Sequence, residues 1–105
     1  MLYSEAEIHE AKRYTEELIK EISEYKRRDV KGLNYELMLS LSFARLYLIN
    51  TDLNNEQAAR QNKVKIKGFI RNNHVGIINL EEETFKIIDF ARNIDIKNSV
   101  KWIDE

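Results

Sequence analysis

A chain of 105 residues with 43% hydrophobic and 33% charged side chains has the make-up of one soluble globular domain, enough for a single core and too little for two. Seventeen bases against 18 acids leave a formal charge of −1, so no global charge excess points to a partner. The absence of cysteine excludes a disulfide framework, a thiolate metal site and a nucleophilic thiol. Met1-Leu2-Tyr3-Ser4-Glu5 turns acidic at once, without the basic start and apolar run of a signal peptide. The longest apolar stretch, Leu37 to Ile49, is broken by Ser40, Ser42 and Arg45 and falls short of the ~20 residues of a membrane span. A cytoplasmic protein with no membrane partner is expected.

Ser4 and Glu7 have the spacing of a capping box, and Ile8, Ala11, Thr15, Leu18, Ile22 and Tyr25 then recur at steps of three and four. This pattern predicts a long amphipathic helix over about 4–28, with Glu16–Lys20 and Glu24–Arg28 as favourable pairs one turn apart and Gly32 as its terminator. A central apolar helix follows over about 34–49. Because Leu37, Met38, Leu39, Leu41, Phe43, Ala44, Leu46, Tyr47 and Leu48 leave it no polar side, it must lie at the domain centre or in a homodimer interface. Asn50-Thr51-Asp52 reads as a break and Asn54 to Gln61 as a short polar helix, about 54–62.

From there the period changes to two. Lys63-Val64-Lys65-Ile66-Lys67 alternates as a half-buried strand does, Val75 to Leu80 offers a second strand, and Asn72-Asn73-His74 supplies turn residues between them. The expected element is a β-hairpin over about 63–80. Asn79 and Glu82 repeat the capping-box spacing ahead of a helix over about 80–92, and the tail from Ile94 to Glu105 stays unassigned. The expected fold is therefore α+β: a mostly helical single domain with one β-hairpin.

The window from Gln57 to Leu80 holds Arg60, Lys63, Lys65, Lys67 and Arg71 and no acid, which makes a local positive field. A three-residue loop at Asn72 to His74 puts Val64, Ile66, Gly68 and Ile70 on the inner face of the hairpin. Lys63, Lys65, Lys67, Phe69 and Arg71 then share the outer one. Cations neutralise phosphates and a ring stacks on bases, so this face is the expected nucleic-acid-binding site, with Arg60 beside it and the turn residues Asn72 and Asn73 as closer contacts. The plainer reading of the same lysines is a solvated strand face that keeps a sheet edge from pairing.

Gly68-Phe69-Ile70-Arg71, a short hairpin, and Ile77-Ile78-Asn79-Leu80 leading into an acidic helix start resemble the wing of winged-helix transcription regulators, over about a quarter of the chain. The resemblance implies a wing tip at Arg71, Asn72, Asn73 and His74 touching the DNA backbone. It also implies a recognition helix from Asn54 to Lys67, where the alternation instead favours a strand. The stretch from Glu56 to Phe69, with Ala59 as its small residue, is also similar to a phage-repressor helix-turn-helix. The usage of Asn, Ile and Lys suits an AT-rich bacterial or phage genome.

Catalytic patterns are missing. His9, four residues after Glu5, reads as half of a surface ion pair, His74 as a turn residue, and Ser40 and Ser42 have no base near them in sequence. Glu16-Glu17 and Glu81 to Glu83 occupy helix-surface and cap positions, and Arg45 is a lone cation in an apolar helix. The sequence thus points to a non-enzymatic DNA-binding regulatory protein without cofactor or metal, working as a homodimer. The alternative is a small protein-interaction module, an inhibitor or adaptor that binds another protein.

Overall fold

The computed structural model of the chain describes residues 5–73 and 79–104, with the side chains of 6–72 and 79–93. Among the described residues the secondary structure is helical throughout: α1 (Glu5–Arg27), α2 (Tyr35–Asp52), α3 (Glu56–Asn73) and α4 (Leu80–Asp104). No strand occurs among them.

In α1, Ile8, Thr15 and Ile22 recur every seven residues and are buried; among the described residues α1 packs on α2 alone. Thr15 tolerates full burial because its hydroxyl donates to the Ala11 carbonyl at 2.8 Å. Ser4, the expected cap, lies outside the described residues. The C-terminus closes as a Schellman motif: Val30 N–H donates to Tyr25 O and Asp29 N–H to Lys26 O, both at 3.1 Å. Asp29 takes the left-handed conformation (φ 54°) that glycine usually fills there, so the terminator is Asp29, and Gly32 (φ 83°) turns the loop beyond it.

Asn34 starts α2 by accepting the Leu37 N–H at 3.1 Å. This helix packs against the other three. Leu39, Ala44, Leu46 and Ile49 are buried, and Ser40 and Ser42 bury their hydroxyls by donating to carbonyls of the preceding turn. Met38, Leu41, Phe43, Tyr47 and Leu48 are half-buried, and Leu37 in the first turn is half exposed. A second Schellman motif ends α2, with Asn54 (φ 60°) in the left-handed position, Asn55 N–H on Asn50 O at 2.8 Å and Asn54 N–H on Thr51 O at 3.1 Å.

The side chain of Asn55 caps the helix after this turn, accepting the Ala58 N–H at 3.3 Å. Asn50 Nδ2 donates to Asn62 Oδ1 at 2.8 Å, and the rings of Phe43 and Phe69 stack with centroids 5.7 Å apart. Positions that rise along α2 fall along α3, so the two form an antiparallel αα-hairpin. Asn79 opens α4 by accepting the Glu82 N–H at 3.1 Å. Ile88 and Ala91 of α4 then meet Ala44 of α2 and Ile66 and Ile70 of α3 in the main core cluster.

The α+β class with a hairpin over about 63–80 is therefore overturned, because Lys63 to Asn73 continue the helix that begins at Glu56. Val75 to Ile78, the body of the expected second strand, lie outside the described residues, and Leu80 is the first residue of α4. Alternation over five residues is compatible with a helix too. Lys63 and Lys67, four apart, share one flank, while Ile66 and Ile70, also four apart, share the buried side. Val64, an inner residue of the expected strand, is 67% exposed. The description as a winged helix fails with the hairpin, since Gly68 to Arg71 is helix where a wing strand is required. Nor does any turn interrupt Glu56 to Phe69, as a helix-turn-helix there requires. Among the described residues no helix is long and apolar enough to cross a membrane.

Candidate nucleic-acid interface

Helix α3 carries five basic residues against one acid, Glu56 at its first position. Its 3.6-residue period sorts them. Ala59, Ile66 and Ile70 point into the core, so the opposite side presents Gln57, Arg60, Gln61, Val64, Lys65, Arg71 and Asn72, all exposed, with the half-buried Gly68 between them. Arg60 lies 3.7 Å from Glu56, both nearly fully exposed, a pair too solvated to hold the guanidinium. Lys65 and Arg71 have no ion-pair partner among the described residues.

The expected site is thus divided. Arg60, Lys65, Arg71 and Asn72 come together on the outer face, and Asn73 closes the helix at its end. Lys63 and Lys67 do not join them. Both reach sideways to Glu81 in the first turn of α4, at 2.6 Å each, and the Lys63 ammonium lies 4.5 Å from the centroid of the Phe85 ring. Phe69 is also lost to the site, because the helix rotates its ring inward onto Phe43. His74 lies outside the described residues. The alternation reading missed Gln57, Gln61 and Gly68, and placed Val64 inside. A 3.6-residue reading from Gln57 onward would have found them as one acid-free face.

The double clamp pulls Glu81 down from the usual carboxylate value of 4.5 to about 2, first through the hydrogen bond from Lys63 and then through that from Lys67. A carboxyl lowered on folding lends stability that is fully present above its ordinary pKa and is lost as pH falls through the folded value. The pairing is therefore intact at neutral pH and is lost only as the pH approaches 2. A carboxyl-carbon NMR titration should place the Glu81 midpoint near 2, against 4.5 for a free side chain, and Glu81→Gln should remove that acid-range dependence of stability. A midpoint near 4.5 would show that the clamp does not exist in solution.

Elsewhere the chemistry is quiet. The hydroxyls of Ser40 and Ser42 serve their own helix, and no group of three His, Cys, Asp or Glu side chains that could hold a metal occurs among the described residues. A cavity of about 200 Å³ between α1, α2 and α4 is lined by Leu18, Ile22, Met38, Leu41 and Ala91 with Ser42 and Arg45, a set without a general base. Comparison with known proteins finds no family model, no curated protein and no solved structure that matches this chain.

Proposed function

We propose that the protein is a non-enzymatic nucleic-acid-binding protein, regulatory in purpose, that meets phosphates through the outer face of α3. One observation carries this reading. Arg60, Lys65 and Arg71 stand exposed on a single helix face among the amides of Gln57, Gln61 and Asn72, with no acid between Gln57 and Asn73. Cations so placed release the condensed counterions of a phosphate backbone, and amides add hydrogen bonds to phosphates or base edges.

Three cations predict a log–log dependence of affinity on salt with a slope of about −3 on duplex DNA. Fluorescence anisotropy with a labelled duplex of mixed sequence, from low to physiological salt, measures it. Absence of binding at 50 mM salt overturns the proposal.

The exposed rings of Phe85 and Phe90 on α4 favour a second reading, the protein-interaction module. A tight protein complex that survives nuclease treatment, together with no affinity for DNA, would support it instead.

A further inference from the structure

We propose that Gly68 is the point at which double-stranded DNA comes closest to α3, and that the outer face takes duplex in preference to single strands. This rests on the nucleic-acid reading above. A glycine inside a helix weakens folding about fivefold relative to alanine, through lost backbone entropy, unless something in the fold requires it.

Nothing among the described residues does. A Cβ placed on Gly68 meets no atom of the described residues within 4 Å, and its φ lies outside the left-handed region that demands glycine. The residue is not at a helix end either, since α3 continues to Asn73. Its position on the outer face supplies the reason the fold does not. Val64 and Lys65 stand one turn before it, and Arg71 and Asn72 one turn after. These four side chains are exposed and Gly68 between them is half-buried, so a gap in side-chain cover is left there over the helix backbone. A gap edged by two cations, an amide and one aliphatic side chain suits a sugar-phosphate strand pressed against the helix, with the cations on its charges.

The choice of duplex follows from what the face lacks. Proteins that hold single strands stack bases on aromatic rings. The one aromatic residue of α3, Phe69, is turned into the core against Phe43, so the outer face has no stacking platform. A helix roughly 10–12 Å across matches the roughly 12 Å major groove of B-form DNA, whereas the major groove of A-form RNA is deep and too narrow for side chains to read.

The test compares wild type, Gly68→Ala and Gly68→Leu on a DNA duplex, its single strands and an RNA duplex of the same sequence, with melting temperatures recorded for each protein. Gly68→Ala should melt about 4–8 °C higher while its affinity for duplex DNA falls roughly tenfold or more, and Gly68→Leu should bind less still. Wild type should prefer duplex DNA over both other ligands. If wild type binds no nucleic acid, the general reading fails and this inference with it. If wild type binds but prefers single strands or RNA, or if Gly68→Ala binds duplex DNA as tightly as wild type, the inference alone is overturned. A lower melting temperature for Gly68→Ala also overturns it, by showing that the fold itself needs the glycine.

Discussion

Ile66→Ala is expected to destabilise the domain by about 2–5 kcal/mol, whereas Val64→Ala, two positions earlier, should leave it within about 0.5 kcal/mol of wild type or slightly more stable. Ile66 is fully buried and meets Ala44, Ile70, Ile88 and Ala91, so truncation loses transfer energy and leaves a cavity at the junction of α2, α3 and α4. Val64 is 67% exposed on the outer face of the same helix, where alanine is the better helix former and no packing is lost. Urea denaturation of both variants reads the difference directly. A strand over Lys63 to Lys67 would put both side chains on one face and make the two losses alike, so equal destabilisation would count against α3 as described.

Replacing Arg60, Lys65 and Arg71 together by alanine should lower affinity for duplex DNA by roughly 10²-fold at 0.1 M salt and flatten the salt slope by about three, because each removes one released counterion. Stability should change little, since the three side chains are exposed and only Arg60 has even a loose ionic neighbour. The matching double replacement of Lys63 and Lys67 should flatten the slope by less than two. Their charges are already met by Glu81, so a phosphate gains there only by displacing a carboxylate. Equal effects per replaced cation in the two sets would show that the outer face has no special part in binding.

Much of the helical framework can be read from local chemistry. The step of three and four from Ile8 to Tyr25 runs along α1, the mainly apolar run from Leu37 falls within α2, and Asn79 accepts the N–H that its spacing to Glu82 suggests. The misreading of α3 has an identifiable cause. Its inner stripe passes through Asn62 and Lys63, two polar residues that break the hydrophobic repeat on paper. In the fold their polar atoms are satisfied from other helices, Asn62 by Asn50 and Lys63 by Glu81, and both are half-buried. A pattern of apolar residues alone cannot show that a polar side chain has a partner far away in sequence. With the stripe interrupted there, the five-residue alternation after it set the period, and a window that short fits either geometry.

The same substitution of one period for another explains what happened to the site. Read at two residues per repeat, Lys63, Lys65, Lys67, Phe69 and Arg71 share a face. At 3.6 they scatter around the cylinder: Lys65 and Arg71 outward, Lys63 and Lys67 to the flank beside α4, Phe69 inward. The charge count of the window was sound information, but the rotation of each charge about the helix axis depended on the period. The helix ends were misjudged for a different reason. Glycine is the common left-handed terminator, yet Asp29 and Asn54 fill that role here, which short polar side chains can do by bonding locally.

The way α1 is attached gives the molecule a hierarchy. The other three helices are mutually tied: α2 and α3 as a hairpin, and α4 across both through Ile88, Ala91 and the Glu81 clamp. Among the described residues α1 rests on α2 alone, and a cavity lies between it and α4 at Leu18, Ile22 and Ala91. Lifting α1 away breaks one interface, while moving any other helix breaks at least two. Among the described residues the chain is thus a three-helix unit with α1 laid along one side of it, so the region expected to exchange its amides first is α1, ahead of the basic ridge of α3.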